Sequence, residues 1–207
     1  MTSVLVPSVR VERWVSNFTE RHGTTRFTVE RGALVGEATD GSHFSAYLPF
    51  SQEYDGQPDA AAFAASVTTP EHWGVILVRK GGFAIARLKG LDVVESKVGQ
   101  RHVQGRTKAG GQSQQRFARR RDNQARQAYE AAAGHAARIL GSVEGVPRRL
   151  PVVTGGDHAA VEEVLADPRL IGLEVCAPFL SVPDPRRATL DQAALDAACA
   201  RIEIHNA

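Results

Sequence analysis

The segment Lys108-Ala109-Gly110-Gly111-Gln112-Ser113-Gln114-Gln115-Arg116-Phe117-Ala118-Arg119-Arg120-Arg121 holds the residues of this chain best suited to chemistry. Two consecutive glycines accept positive φ and carry no Cβ, so backbone there can approach a ligand more closely than at other residue pairs. Gln112 follows at the end of the loop, just before a long helical pattern. Its amide N–H, its side-chain amide and the helix N-terminus all present donors toward incoming negative charge. Such a site suits an oxyanion. By itself the string Gly-Gly-Gln most often marks a plain turn before a helix, so its surroundings decide what it does.

Those surroundings are basic. From Arg101 to Arg126 the chain carries Arg101, Arg106, Lys108, Arg116, Arg119, Arg120, Arg121 and Arg126 against one acid, Asp122. The rest of the molecule has 17 basic and 22 acidic residues, so a net charge of +2 conceals a basic segment on an acidic body. A polyanion-facing surface has this distribution, because each phosphate contact releases counterions. A solvated helix face is the other reading of the charges alone. Arginine outnumbers lysine 21 to 4, which suits phosphate recognition and also fits a GC-rich genome.

The elements that must position this segment are legible from periodicity. Val11, Trp14, Val15 and Phe18 predict a helix over 8–22, capped by Ser8 and ended by Gly23. Short strands are predicted at 25–30, 33–38 and 43–48, and a short helix at 60–67. A boundary near residue 70 separates this small α+β N-terminal lobe, 1–70, from a domain over 71–207. Strands at 73–79, 83–88 and 92–97 form a meander around the Lys80-Gly81-Gly82 turn. A glycine-rich loop then leads into a helix over roughly 113–140, where Phe117, Ala125, Ala128, Ala132, Ala136, Ile139 and Leu140 recur at helical spacing and Ser113 can cap the start. Strand 150–154, helix 159–165, strand 170–176 and helix 190–200 come next, with a last strand at 201–205. The expected fold class is α/β, a mixed sheet of ribonuclease H-like arrangement.

From Gly110 through Arg121, with Ser113 after the glutamine and Arg116-Phe117-Ala118-Arg119 one helical turn further, the segment closely resembles the central domain of the eukaryotic and archaeal class I peptide-chain release factors. The order of elements matches that domain as well, so the resemblance covers about residues 73–205. It implies a loop that enters the peptidyl-transferase centre of the large ribosomal subunit, where the glutamine positions water to hydrolyse the ester of peptidyl-tRNA. Gly110, Gly111 and Gln112 are the matching residues. The resemblance has no counterpart of the stop-codon-reading N-terminal domain or of the C-terminal partner-binding domain. The chain is more similar to the stand-alone release-factor-like hydrolases of ribosome quality control, the VLRF group, including actinobacterial members with a small N-terminal lobe. This resemblance implies a codon-independent hydrolase whose partners are rRNA of the large subunit and peptidyl-tRNA.

Other chemistries fit less well. A metal nuclease needs clustered carboxylates, and the meander offers only Asp92 and Glu95. A non-catalytic RNA-binding adaptor and a metal-independent tRNA-cleaving enzyme stay as alternatives. Asp157 after Gly155-Gly156 reads as an N-cap rather than part of an anion-binding turn. His72, His102 and His158 show no partner pattern, although His102 stands in the loop. Ser113 lacks the histidine and acid of a nucleophilic triad. Cys176 and Cys199 fit neither a disulfide framework nor zinc-ligand spacing, so no cofactor and no metal is expected. With no run of about 18 apolar residues and no basic stretch ahead of an apolar one at the start, a cytoplasmic monomer away from membranes is expected. Residues 99–112 are expected to be mobile without RNA.

Overall fold

The computed structural model describes residues 2–100, 112–141 and 149–207, and within these the side chains of 112–123 are outside the description. In chain order the elements are β1 (Thr2–Val6), α1 (Ser8–His22), β2 (Thr25–Glu30), β3 (Ala33–Ala38), β4 (His43–Tyr47), α2 (Ala60–Ser66), β5 (His72–Arg79), β6 (Gly82–Lys89) and β7 (Asp92–Gln100). After them come α3 (Gln112–Leu140), β8 (Leu150–Gly156), α4 (His158–Leu165), a 3-10 turn (Pro168–Leu170), β9 (Leu173–Leu180), α5 (Arg187–Ala197) and β10 (Ala200–His205). The chain forms two compact units, one of residues 1–69, 176–178 and 195–207, the other of 70–175 and 179–194. No described helix is long and apolar enough to cross a membrane.

The first unit is an antiparallel sheet in the order β1-β10-β4-β3-β2 with α1 and α2 packed on it. Val11, Val15 and Phe18 make the buried stripe of α1, and they meet Phe44, Leu34 and Ile202 from the strands. The hairpin between β2 and β3 turns at Arg31 and Gly32, both at positive φ, the backbone that matches the twist of tightly joined strands. Helix α1 begins differently from expectation. Pro7, at φ −58°, stands at the N-cap with no side-chain cap, and Ser8 is already helical; proline's fixed φ presets the turn into the helix.

The expected assignment of 71–207 to one domain is corrected at its end. Strand β10 pairs on one side with β1, Val4 opposite Ile202, and on the other with β4, Ile202 opposite Ala46. Ala200 and Ile202 are wholly buried in the first unit's core. Strand β1 is likewise absent from the sequence expectation. Each of these strands supplies the hydrogen-bonding partner the other lacks, across most of the chain length, and local periodicity carries no trace of such a pairing.

The second unit has a mixed sheet in the order β7-β6-β5-β8-β9, with β5 antiparallel to β6 and parallel to β8. This is the mixed α/β sheet expected. Strand β5 is buried from Trp73 to Val78, the continuous apolar run of a strand covered on both faces. Helices α3 and α4 bury Tyr129, Ala132, Ala136, Ile139, Val161 and Val164 in one cluster with Ile76, Ile85, Leu150 and Val152. Strand β9 starts three residues later than expected, because Asp167 accepts from the Arg169 N–H at 2.9 Å and sets the turn that ends at Leu170.

Candidate functional site at one end of the mixed sheet

Three strand ends meet at the end of the mixed sheet where β7 stops at Gln100, one residue before the basic segment. The last residue of β7, Gln100, lies opposite Gly82, which itself lies opposite Arg79 at the end of β5. Gly156, at the end of β8, is in register with Val78. Gln100 therefore lies at the same end of the sheet as the β5–β6 hairpin and the start of α4. Glycines make this convergence possible. A Cβ on Gly82 would come within 2.5 Å of the Gly99 carbonyl oxygen, and one on Gly99 within 2.4 Å of the Phe83 ring. The exit strand is thus pressed directly onto its neighbour and onto a core aromatic.

The segment returns to the described part of the molecule as α3. At 1.5 Å per residue this helix is about 44 Å long, and Ala125 is the first of its described side chains to pack against the core cluster. Gln112 is roughly 20 Å along the axis from Ala125. The packed portion is anchored at its far end. Arg138 forms an ion pair with Glu95 of β7, and Arg87 of β6 donates from Nε to the Ile139 carbonyl at 3.2 Å while its Nη2 stands 3.9 Å from Glu95. One carboxylate thus gathers two arginines and ties the last turn of α3 to the meander.

Electrostatics near the sheet end come from groups that are mostly engaged. Asp157 caps α4, accepting from the N–H of Ala159 at 3.1 Å and of Ala160 at 3.4 Å, while its own N–H donates to the Val78 carbonyl at 2.9 Å. Gly156 precedes it at φ +105°, where a Cβ would come within 2.2 Å of the Val78 oxygen. The cap reading of Asp157 therefore holds. Asp157→Ala is expected to cost about 1 kcal/mol, read as a lower urea midpoint; an unchanged midpoint would count against the cap. Arg79 donates to the Val182 carbonyl at 2.8 Å. His158 stacks on Phe179 with ring centroids 3.5 Å apart. Burial, with Asp157 and Glu163 nearby, pushes the Tyr129 hydroxyl above its ordinary range. His135 is held below the usual imidazole value by burial and by the positive charges of Lys97 and Arg138, so it is a neutral ring against Phe83 at neutral pH.

Of the residues singled out in the sequence, Arg101, Arg106, Lys108, Gly110 and Gly111 lie outside the described residues, as does the expected mobility of the loop from 101 onward. Gln112 is the first residue of α3, and Arg116, Arg119, Arg120 and Arg121 follow within its backbone. Ser113 is the helix's second residue, and its expected capping side chain lies outside the description. Arg126 is exposed, next to Ala125, which packs on the core cluster, and near the buried Ala128. Among the described residues no group of three or more His, Cys, Asp or Glu side chains is placed to hold a metal ion. Sequence reasoning missed the Glu95 link to Arg138, 43 positions away, since only the sheet and helix packing bring the two together.

Residues 71–203 match the family model described as Actinobacteria/chloroflexi VLRF1 release factor. No protein with a curated function matches in sequence. Among solved structures, one described as a Vms1 mitochondrial localization core is similar at 10% identity, covering 93% of this chain and 80% of that one, with a TM-score of 0.39. An archaeal translation termination factor, aRF1, is similar at 16% identity over 91% of this chain, with a TM-score of 0.36. This chain spans about half of that factor's length, 52%.

Proposed function

We propose that this chain, which belongs to the Actinobacteria/chloroflexi VLRF1 release factor family, hydrolyses peptidyl-tRNA on the large ribosomal subunit independently of any codon. A release-factor-like role at the ribosome comes with the family itself. The finer reading, rescue of nascent chains from stalled ribosomes by a cytoplasmic monomer, rests on one observation. The matched region contains Gly110-Gly111-Gln112, Gln112 being the first residue of a 29-residue helix.

The chemistry needs little from the protein. An ester carbonyl is already electrophilic, so a donor aimed at the tetrahedral intermediate and an oriented water supply most of the rate enhancement. Gly110 and Gly111 allow close backbone approach to the ester. Gln112, in the first turn of α3, adds its side-chain amide to the free N–H groups of the helix start. Arg101, Arg106, Lys108, Arg116, Arg119, Arg120, Arg121 and Arg126 contact rRNA or tRNA phosphates and hold the loop in place.

The test is release of labelled nascent peptide from purified large subunits carrying peptidyl-tRNA, comparing the unaltered chain with Gln112→Ala. The arginines are tested separately. Arg119→Ala with Arg120→Ala is expected to weaken subunit binding and to flatten its logarithmic salt dependence by roughly 1.5 to 2, about one released counterion per lost phosphate contact. An unchanged slope would remove these two residues from the RNA interface. Should Gln112 prove dispensable while the arginines are not, the adaptor reading replaces hydrolysis; shortened tRNA among the products would point to tRNA cleavage.

A further inference from the structure

We propose that the groove between β1 and α1 binds an extended acidic peptide of a partner protein, which adds to the first unit's sheet as a strand beside β1. The groove holds about 600 Å³, with the β1 residues Val4, Leu5 and Val6 along one side, Pro7 at its end, and Arg10, Arg13, Trp14 and Asn17 of α1 along the other. Those four helix residues form one stripe at spacings of three and four, next to the buried stripe of Val11, Val15 and Phe18.

Strand β1 is an outer strand, paired among the described residues only with β10. The backbone groups of its alternate residues therefore point away from the sheet. Sheet proteins blunt such edges with charge, proline or a bulge. The opposite edge, β2, is blunted in this way by Arg26 and Glu30, Arg26 being bonded to Glu37 at 2.6 Å. Strand β1, Thr-Ser-Val-Leu-Val, has no charge and no proline within it, Pro7 following only after its last residue. It is built as a template for another strand.

Charge and hydrogen-bonding capacity select the occupant. Arg10 and Arg13 are the charged residues of the groove, no acid lines it, and neither has an ion-pair partner among the described residues. Arg10 lies in the first turn of α1, which contains no acid, although the helix dipole favours acids there. Trp14 packs its ring against Phe18 and Phe44, yet its indole N–H and the Asn17 amide make no hydrogen bond among the described residues. A second copy pairing through β1 would bring four arginines together. Nucleic acid offers no ladder of donors and acceptors at strand spacing. An acidic strand satisfies the edge, the arginines and the two free polar groups at once, by strand addition.

The experiment titrates the full chain with a labelled peptide that alternates glutamate with valine. It also uses the same peptide N-methylated along one edge, a lysine–valine counterpart and a single-stranded RNA. The glutamate peptide is expected to bind, the N-methylated and lysine peptides not to. Arg10→Glu with Arg13→Glu is expected to weaken glutamate-peptide binding about five- to tenfold. Both positions are exposed, and acids near a helix start are favourable, so the variant should keep its circular dichroism spectrum. The N-methylated peptide tests the strand contact without altering the protein. Absence of glutamate-peptide binding, or indifference to both N-methylation and charge reversal, would overturn the proposal. So would RNA binding that the same variant abolishes, or a dimer in sedimentation that the variant dissociates.

Discussion

Gln112→Ala is expected to lower peptide release by about 10²- to 10³-fold, the usual effect of removing one donor to a tetrahedral intermediate, while binding to the large subunit stays near its original strength. The substitution is informative because it separates chemistry from folding. Gln112 opens α3, and alanine is the better helix former of the two, so the helix has no reason to start elsewhere. The basic residues from Arg101 to Arg126 are untouched, and with them the electrostatic part of subunit binding. If release persists in the variant, water is not positioned by this side chain and the hydrolase reading loses its centre. Loss of release together with loss of binding would instead indicate that Gln112 helps to dock the loop.

The second large effect concerns the foundation of that helix. Ile139 is wholly buried among the strands and α4 of the second unit, one residue after the Arg138–Glu95 ion pair and with its own carbonyl bound by Arg87. Ile139→Ala removes buried methyl groups and leaves a cavity that the surrounding sheet closes only in part. The expected cost is about 2–5 kcal/mol. In urea unfolding the midpoint should fall with little change in slope. Trp73 fluorescence in a Trp14→Phe background reports the second unit alone, because Trp14 belongs to the first. The matched control is Arg126→Ala, an exposed change expected to stay within about 0.5 kcal/mol. Equal midpoints for the two variants would mean that the last turns of α3 do not carry the packing assigned to them. A destabilised second unit should also release peptide more slowly near its midpoint, since Gln112 opens the helix that this packing holds.

Local chemistry is enough to read most of the elements. Strands 25–30 and 33–38 agree with β2 and β3 residue for residue, because alternating burial and the Arg31-Gly32 turn are properties of adjacent residues. The long helix is legible within one residue at its start, through alanines and aliphatics at spacings of three and four. The composition of the candidate site, two glycines and a glutamine followed by arginines, is likewise plain in the chain. Periodicity cannot convey which strands will meet. Residues 201–205 look like a strand from their alternation, but their membership of the first sheet depends on β1 and β4 offering open edges and on a core that Ala200 and Ile202 complete.

The sequence by itself determined most local conformations and the composition of the candidate segment, since both arise from side-chain type and near-neighbour spacing. The tertiary structure alone decided three other things: that Gly82 and Gly99 press the end of β7 against Phe83, that Glu95 ties α3 to the meander through Arg138 and Arg87, and that the edge strand β1 lies beside a basic stripe of α1. Each joins residues distant in the chain, and such contacts are selected by burial and by the pairing of backbone groups, which act only once the chain has folded.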